Sequence, residues 1–257
     1  MNVLWVFAHP DSRSLNGALR DTAQRALSDG GHALVESDLY AMEWNPVVGP
    51  DDFGHDPVER LRVPAATKRA RSAGTMAPDI VAEQEKLAWA DTVVVQFPLW
   101  WYGLPAILKG WFDRVFTMGF AFGIQDPETG RTLRYGEGPL AGRRALAVTT
   151  VGARETSIGP RGVNGAIEDI LFPLNHGTFW YTGMDVLPPV VVHSADRASA
   201  EDVERAGKHL AERVLTAWQT DPVPYRSQNG GDYDDALVLR PELAPGETGL
   251  AAHLRRY

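Results

Sequence analysis

The segment from Thr92 to Gly119, TVVVQFPLWWYGLPAILKGWFDRVFTMG, constrains the fold of this chain more than any other. It begins with an apolar run that is typical of a strand buried on both faces of a parallel sheet. Pro98 ends that strand, three consecutive aromatic residues follow, and Pro105 begins a helix. An aromatic surface at the carboxyl end of a parallel strand predicts a site for a planar ligand.

The rest of the chain predicts strands that alternate with helices. The predicted strands span residues 3–8, 32–37, 92–97, 145–150 and 186–193, and the predicted helices span 15–27, 78–90, 105–117, 166–175 and 199–218. This alternation predicts an α/β fold with one doubly wound, five-stranded parallel sheet in the flavodoxin-like order 2-1-3-4-5. We expect one flavodoxin-like domain at 1–219, an irregular connection at 45–78 and an extended C-terminal tail at 220–257.

The loop after the first strand has the composition of an anion site. It reads HPDSRSLNG from His9 to Gly17, and Ser14 is placed to cap the following helix. Free N–H groups and the dipole at a helix N-terminus attract phosphate, and the loop adds polar groups from Ser12, Asn16 and His9. An ordinary capped turn is the alternative interpretation, and the loop alone does not decide between the two.

Composition and charge exclude several classes of protein. The net charge of -8 argues against a nucleic-acid partner. The absence of cysteine excludes disulfides, thiolate catalysis and iron–sulfur ligation. No window is apolar enough for a membrane span, and the N-terminus lacks a basic leader, so a cytoplasmic location is expected. No group of His, Asp and Glu has metal-ligand spacing, and we predict no metal site.

Four segments of the chain resemble the NAD(P)H:quinone oxidoreductases of the DT-diaphorase type. They are FAHPDSRSLNGAL, VESDLYAMEWNP, PDIVAEQEKLAWADTVVVQFPLWWYGLPAILKGWFDRVF, and TTVGARETSIGPRGVNG with FPLNHG after it. Together they span most of residues 1–219, and the third is the most specific. The resemblance implies a flavodoxin-like fold, a homodimer with active sites at its interface, bound FAD rather than FMN, and NAD(P)H as co-substrate.

The resemblance also assigns residues to the site. The flavin phosphates fall to His9, Ser14, Leu15 and Asn16, the flavin ring to Pro98, Leu99, Trp100, Trp101 and Tyr102, and its pyrimidine edge to Thr149, Thr150, Val151 and Gly152. The acceptor pocket falls to Trp101, Phe122, Ile124 and Tyr181, with Tyr181 supplied by the partner chain. The two pocket tyrosines of the family match Phe122 and Ile124, so this pocket is expected to be less polar.

The glycine-rich loop at 151–165 departs from the family. The family's charge-stabilising histidine matches Asn164, and its tyrosine falls on Ser157 or Ile158. Negative charge on a reduced flavin needs donors or a cation in a dry site. Asn164 donates hydrogen bonds but cannot become cationic. We therefore predict that Arg154 or Arg161 supplies the charge, and that Asn164 and Tyr102 complete the catalytic set.

The implied activity is that of an NAD(P)H dehydrogenase (quinone). NAD(P)H gives a hydride to flavin N5 and leaves, and a quinone or similarly flat acceptor then takes its place, in a two-electron ping-pong cycle. A flavin-bound regulatory subunit of an ion-efflux system and a flavodoxin-type electron carrier are the alternatives. Oxidation of NADPH with menadione as acceptor separates the enzyme from both.

Overall fold

A computed structural model describes residues 1–255 and shows a six-stranded parallel sheet between two layers of helices. The strands are β1 (Asn2–Phe7), β2 (Ala33–Asp38), β3 (Thr92–Pro98), β4 (Arg144–Thr150), β5 (Asp185–Val186) and β6 (Val190–Val192). Their order is β2-β1-β3-β4-β5, and β6 also pairs with β4. The predicted flavodoxin-like order is confirmed.

Helices cover both faces of the sheet. They are α1 (Leu15–Asp29), α2 (Val63–Ala73), α3 (Pro78–Trp89), α4 (Ala106–Val115), α5 (Ile167–Ile170), α6 (Phe172–Leu174) and α7 (Ala200–Leu215), with a π-helix at Asn175–Trp180 and 3₁₀ turns at Pro50–Phe53, Glu155–Ser157, Ala195–Arg197 and Gly249–His253. Successive strand residues point to opposite faces. Trp5 therefore packs with α1 and α7 in one core, and Leu4 and Val6 pack with α3 and α4 in the other.

The sheet has six strands rather than five because the predicted strand at 186–193 is divided. Pro188 and Pro189 lie between β5 and β6, and proline has no N–H to donate to a neighbouring strand. The predicted helix at 166–175 is likewise divided into α5 and α6, with Pro173 in the first turn of α6. The π-helix continues directly from there.

The prediction of an irregular connection at 45–78 is wrong, because α2 lies within it. The buried face of α2 consists of Ala66, Thr67 and Ala70, which give little hydrophobic periodicity. A buried arginine on α4 holds the connection in place. Arg114 donates to Asp52 at 2.7 Å through Nη2 and to Asp79 at 2.7 Å through Nη1.

The segment from 220 to 255 folds back onto the domain. Val223 N–H donates to the Val186 carbonyl at 2.7 Å, and the Trp180 indole donates to the Arg226 carbonyl at 3.1 Å. Arg226 is buried and donates to the Ala252 carbonyl at 3.0 Å. The segment thus covers part of the π-helix, and a domain boundary at 219 stays a prediction. Within residues 1–255, no helix has the length and apolar character needed to cross a bilayer.

Candidate active site

The loop after β1 places the N-terminus of α1 at the carboxyl edge of the sheet. Ser14 caps the helix, and its Oγ accepts from the Gly17 N–H at 3.2 Å. A Cβ at Gly17 would lie 1.8 Å from the Ser12 carbonyl oxygen, so the loop crosses directly over the first turn. His9 and Leu15 are half-buried beside it. The four residues predicted to hold phosphate therefore line one helix N-terminus.

An exposed ion pair lies in the same loop. Arg13 donates two hydrogen bonds to the Asp11 carboxylate at 3.1 Å. Hydrogen bonding from Arg13 lowers the pKa of Asp11 to about 2. The pair adds no net charge to the loop, so the attraction for an anion comes from the helix N-terminus.

Asn16 fastens this loop to the neighbouring strands. Its Nδ2 donates to Thr150 Oγ1 at 2.9 Å, and its backbone carbonyl accepts from Gln96 Nε2 at 2.7 Å. Gln96 in turn accepts from the Trp5 indole at 3.0 Å. The ends of β1, β3 and β4 are thus tied together by buried polar groups. Gln96 is the residue that sequence reasoning missed, although a polar side chain within TVVVQFP was its signal.

The aromatic shelf, residues 98–103, is held in a strained conformation. Trp101 and Tyr102 both have positive φ, 50° and 59°, which costs a residue with a Cβ about 1 kcal/mol or more. Two reciprocal hydrogen bonds between Trp100 and Gly103, at 3.2 and 2.9 Å, close the turn. The Trp101 side chain is 99% exposed. Strain of this kind is typical of functional sites, where the surroundings maintain it.

A chain of hydrogen bonds, which we call the clasp, joins the shelf to the glycine-rich loop. The Tyr102 hydroxyl donates to Asn164 Oδ1 at 2.6 Å, and Asn164 Nδ2 donates to Ser157 Oγ at 3.1 Å. Ser157 Oγ donates to the Arg154 carbonyl at 2.8 Å. The structure therefore brings together two predicted catalytic residues, Tyr102 and Asn164, through a direct contact that the sequence did not reveal.

The side chains of the two predicted cationic residues take no part in the clasp. Arg154 and Arg161 are both exposed, and neither lines a described cavity at the shelf. Their side chains make no hydrogen bond or ion pair within residues 1–255. Their catalytic role stays a prediction, because it requires a ligand or a partner chain to draw a guanidinium inward.

Two cavities adjoin Tyr102. The smaller, about 210 Å³, lies between the shelf and the glycine-rich loop, and its lining consists of Leu99, Trp101, Tyr102, Val151, Gly152, Ala153, Ile158 and Asn164. The larger, about 560 Å³, is lined by Tyr102, Phe122 and Tyr181, among other residues. Ile124 lines neither cavity. The predicted acceptor residues are therefore divided between two cavities that share Leu99 and Tyr102.

The polar groups around the smaller cavity fit a flat heterocycle. The backbone N–H groups of Trp101, Tyr102 and Gly152 donate to no acceptor within residues 1–255. Thr149 Oγ1, near the end of β4, and Asn16 Oδ1, in the first turn of α1, are buried and have no partner in the described chain. Buried polar groups in native proteins are normally satisfied. This arrangement suits a ring with acceptors and donors along its edge.

Comparison with known proteins identifies the fold family. A family model for the flavodoxin-like fold matches residues 1–216. The chain belongs to this family. The predicted flavodoxin-like fold is thereby confirmed, and the matched range includes the anion loop, the shelf and the glycine-rich loop.

Individual flavodoxin-like relatives cover nearly the whole chain. A ribosyldihydronicotinamide dehydrogenase-like protein of Penicillium crustosum is 41% identical over 99% of this chain and 96% of its own length. NAD(P)H dehydrogenase [quinone] 1 of Rattus norvegicus is 37% identical over 93% of this chain and 86% of its own length. A structure from Klebsiella pneumoniae, assigned provisionally as a quinone reductase, has a TM-score of 0.94 and 50% identity, and the match covers 99% of this chain and 100% of that one.

The side chains that could bind a metal ion do not cluster within the described residues. Among residues 1–255, no three His, Cys, Asp or Glu side chains are grouped as ligands for a metal ion.

Proposed function

We propose that this protein passes electrons in pairs from NAD(P)H, through one bound flavin, to a quinone or similarly flat acceptor. It is an NAD(P)H oxidoreductase of the quinone reductase type, and it depends on flavin. The bound flavin supplies the capacity to accept and release a hydride. The protein supplies the position of the ring, the donors along its edge and a site from which water is excluded.

The observation that carries the proposal is the strained shelf beside the anion loop. A capped helix N-terminus and an exposed aromatic turn lie at the carboxyl ends of β1 and β3, where the strand order reverses. Ligands bind at such a switch point in open α/β sheets. His9, Ser14 and Leu15 would bind the phosphates, and the shelf from 98 to 102 would contact the ring. The residues from 149 to 152 would contact its pyrimidine edge.

Asn16 contributes to this site chiefly as a positioning residue. Its Nδ2 already donates to Thr150, and its carbonyl already accepts from Gln96. It therefore holds the loop against β3 and β4. The distance between the phosphate-binding loop and the ring-binding shelf is fixed as a result.

FAD is the flavin that we propose, and a homodimer is the assembly. The fully exposed Trp101 side chain and half-exposed Tyr102 support a second chain as a cover over the ring, with Tyr181 of one chain approaching the shelf of the other. A cytoplasmic location accompanies this proposal. The mass of the flavin released on denaturation distinguishes FAD from FMN, and sedimentation of the loaded protein gives the assembly.

Steady-state oxidation of NADPH with menadione tests the activity. The expected result is rapid turnover and a flavin spectrum that bleaches under NADPH and recovers when menadione is added. Bound flavin without turnover would contradict the proposal and favour the regulatory-subunit alternative. Because the relatives are named for two different hydride donors, ribosyldihydronicotinamide should be compared with NADH and NADPH in the same assay.

A further inference from the structure

A cavity of about 510 Å³ lies between the π-helical segment and the C-terminal segment, away from the shelf. Its volume is in the range of small-molecule sites. Within the described residues it shares only Pro173 and Gly177 with the 560 Å³ cavity, so the chain from α6 to the π-helix separates the two. We call it the C-terminal cavity. Nothing in the proposed flavin chemistry uses it.

The lining of the C-terminal cavity is positively charged. Arg134 and Arg226 both line it, and none of the described lining residues is Asp or Glu. Arg226 is paired with Asp232 at 2.9 Å. Arg134 donates from Nε to Gln228 Oε1 at 2.5 Å and has no carboxylate partner within residues 1–255. One guanidinium is therefore left without an opposite charge, in a recess where its attraction for an anion is stronger than in water.

Aromatic rings also line the C-terminal cavity. Phe172 lies 4.5 Å from His176, centroid to centroid, with the rings 16° apart, and Tyr135 lies 5.0 Å from His176 at 30°. Tyr233 also lines the cavity, and its hydroxyl is bonded to His253 Nδ1 at 2.9 Å. Flat walls of this kind favour a flat ligand, because aromatic faces stack with an offset.

His176 adds hydrogen-bonding capacity without charge. Burial, together with the neighbouring His253, lowers the pKa of His176 to about 4, so the ring is neutral at pH 7. A neutral imidazole has one donor and one acceptor nitrogen. Neither nitrogen is bonded within residues 1–255.

The backbone beside the cavity is unusual. His176 is part of the π-helix at Asn175–Trp180, and Tyr135 has a φ of 50°. π-Helical turns are rare and frequently occur at functional sites, and positive φ in a tyrosine persists only where the surroundings enforce it. These features set the orientation of the His176 and Tyr135 rings.

We propose that the C-terminal cavity binds a flat aromatic molecule that carries a carboxylate or a similar anion. Arg134 is its counterion, His176 hydrogen-bonds to it, and Tyr135, Phe172 and Tyr233 contact its ring. The segment from 220 to 255 therefore completes a second ligand site that is separate from the flavin site.

Calorimetric titration of the full-length, flavin-loaded protein with 2-naphthoate tests this proposal. Saturating menadione is present throughout, so that the acceptor site is filled, and uncharged 2-naphthamide is the control ligand. We expect one naphthoate per chain, bound on the order of tenfold more tightly than naphthamide, because hydrogen bonds to charged groups are the stronger ones.

Two substitutions locate the site. Arg134→Gln should weaken naphthoate binding on the order of tenfold, whereas Arg134→Lys should retain most of the affinity. Arg131→Gln is the matched control, because Arg131 is exposed and lies outside the lining of this cavity. His176→Phe keeps a ring in the stack but removes its nitrogens, and it should weaken binding several-fold. Urea unfolding establishes that each variant is folded.

Three results would overturn the assignment. They are equal affinities for naphthoate and naphthamide, an equal loss of affinity in Arg131→Gln and Arg134→Gln, and naphthoate binding that is seen without menadione but is lost in its presence. None of them affects menadione turnover in the absence of naphthoate, so this site and the proposed enzymatic activity are tested independently.

Discussion

The shelf at 98–103 and the glycine-rich loop at 151–165 face each other across the 210 Å³ cavity, and the two are anchored to the core to different extents. It follows a strand that is buried at every position and precedes α4, most of whose residues are buried. The loop is largely exposed and includes Val163, which is 93% exposed. Backbone hydrogen bonds that join Val151 and Ala153 to the segment 192–195 hold its first residues, and side-chain hydrogen bonds through Asn164 join its far end to the shelf. A turn with buried elements on both sides can sustain backbone strain, whereas the exposed far end of the loop can adjust to a ligand.

The largest effect is expected from removing Arg114, the buried arginine of the helix that follows the shelf. Arg114→Met leaves Asp52, whose side chain is 7% exposed, without its buried partner. Breaking a buried ion pair in this way should lower the free energy of unfolding by about 3–5 kcal/mol. Urea unfolding measures this loss, with Lys208→Met as the control, because the Lys208–Glu204 pair is exposed and its removal should change the free energy of unfolding far less. Equal losses in the two variants would contradict the buried-anchor interpretation.

Trp101→Gly separates the backbone strain at this position from the contact that the Trp101 ring makes with a ligand. Glycine tolerates a φ of 50°, so the free energy of unfolding should stay the same or rise by up to about 1 kcal/mol. Menadione turnover should fall on the order of tenfold, because the exposed ring no longer contacts its ligand. Ala244→Gly, at a φ of 49° outside the site, should give a similar stability change with normal turnover. Parallel losses of stability and turnover in Trp101→Gly would show that the ring is structural.

Substitutions in the clasp test how the glycine-rich loop is held to the shelf. Tyr102→Phe and Asn164→Ala each remove its central hydrogen bond, so the double variant should be little worse than either single one. The expected coupling energy is about 1 kcal/mol. Exchange of the backbone amide hydrogens of residues 151–165 should accelerate in all three variants. The KM for menadione should change in the same variants. Thr156→Ala, an exposed position in the same loop, is the control. Additive effects would mean that the two side chains act separately.

The smallest effect is expected from the exposed arginines of the loop. Arg154→Ala or Arg161→Ala should slow flavin reduction by NADPH about threefold, and the difference should shrink at high salt because exposed charges are screened. Arg60→Ala, exposed elsewhere on the surface, should leave the rate unchanged. Unchanged rates in both loop variants would contradict the proposed cationic role. The hydrogen-bond donors of the clasp would then be left to stabilise the negative charge of the reduced flavin.

Much of this molecule could be predicted from local patterns. The strand order, the capped helix after β1 and the shelf after β3 were predicted because each depends on a short run of residues, such as the apolar run before Pro98 or the serine that caps α1. The helix α2 was missed because an alanine face carries little hydrophobic signal. The division of the last strand could have been recognised from Pro188 and Pro189.

The sequence by itself determined the fold family and the position of the switch point, because buried strands and helix caps are local in the chain. Only the tertiary structure decided which side chains meet. The Tyr102–Asn164 contact joins residues 62 positions apart, and the Asn16–Thr150 contact joins residues 134 positions apart. Neither leaves a periodic trace in the sequence, since each is a single hydrogen bond between loops or strand ends. The C-terminal cavity likewise depends on the tertiary structure, because it forms only where residues 226–253 fold back over the π-helix.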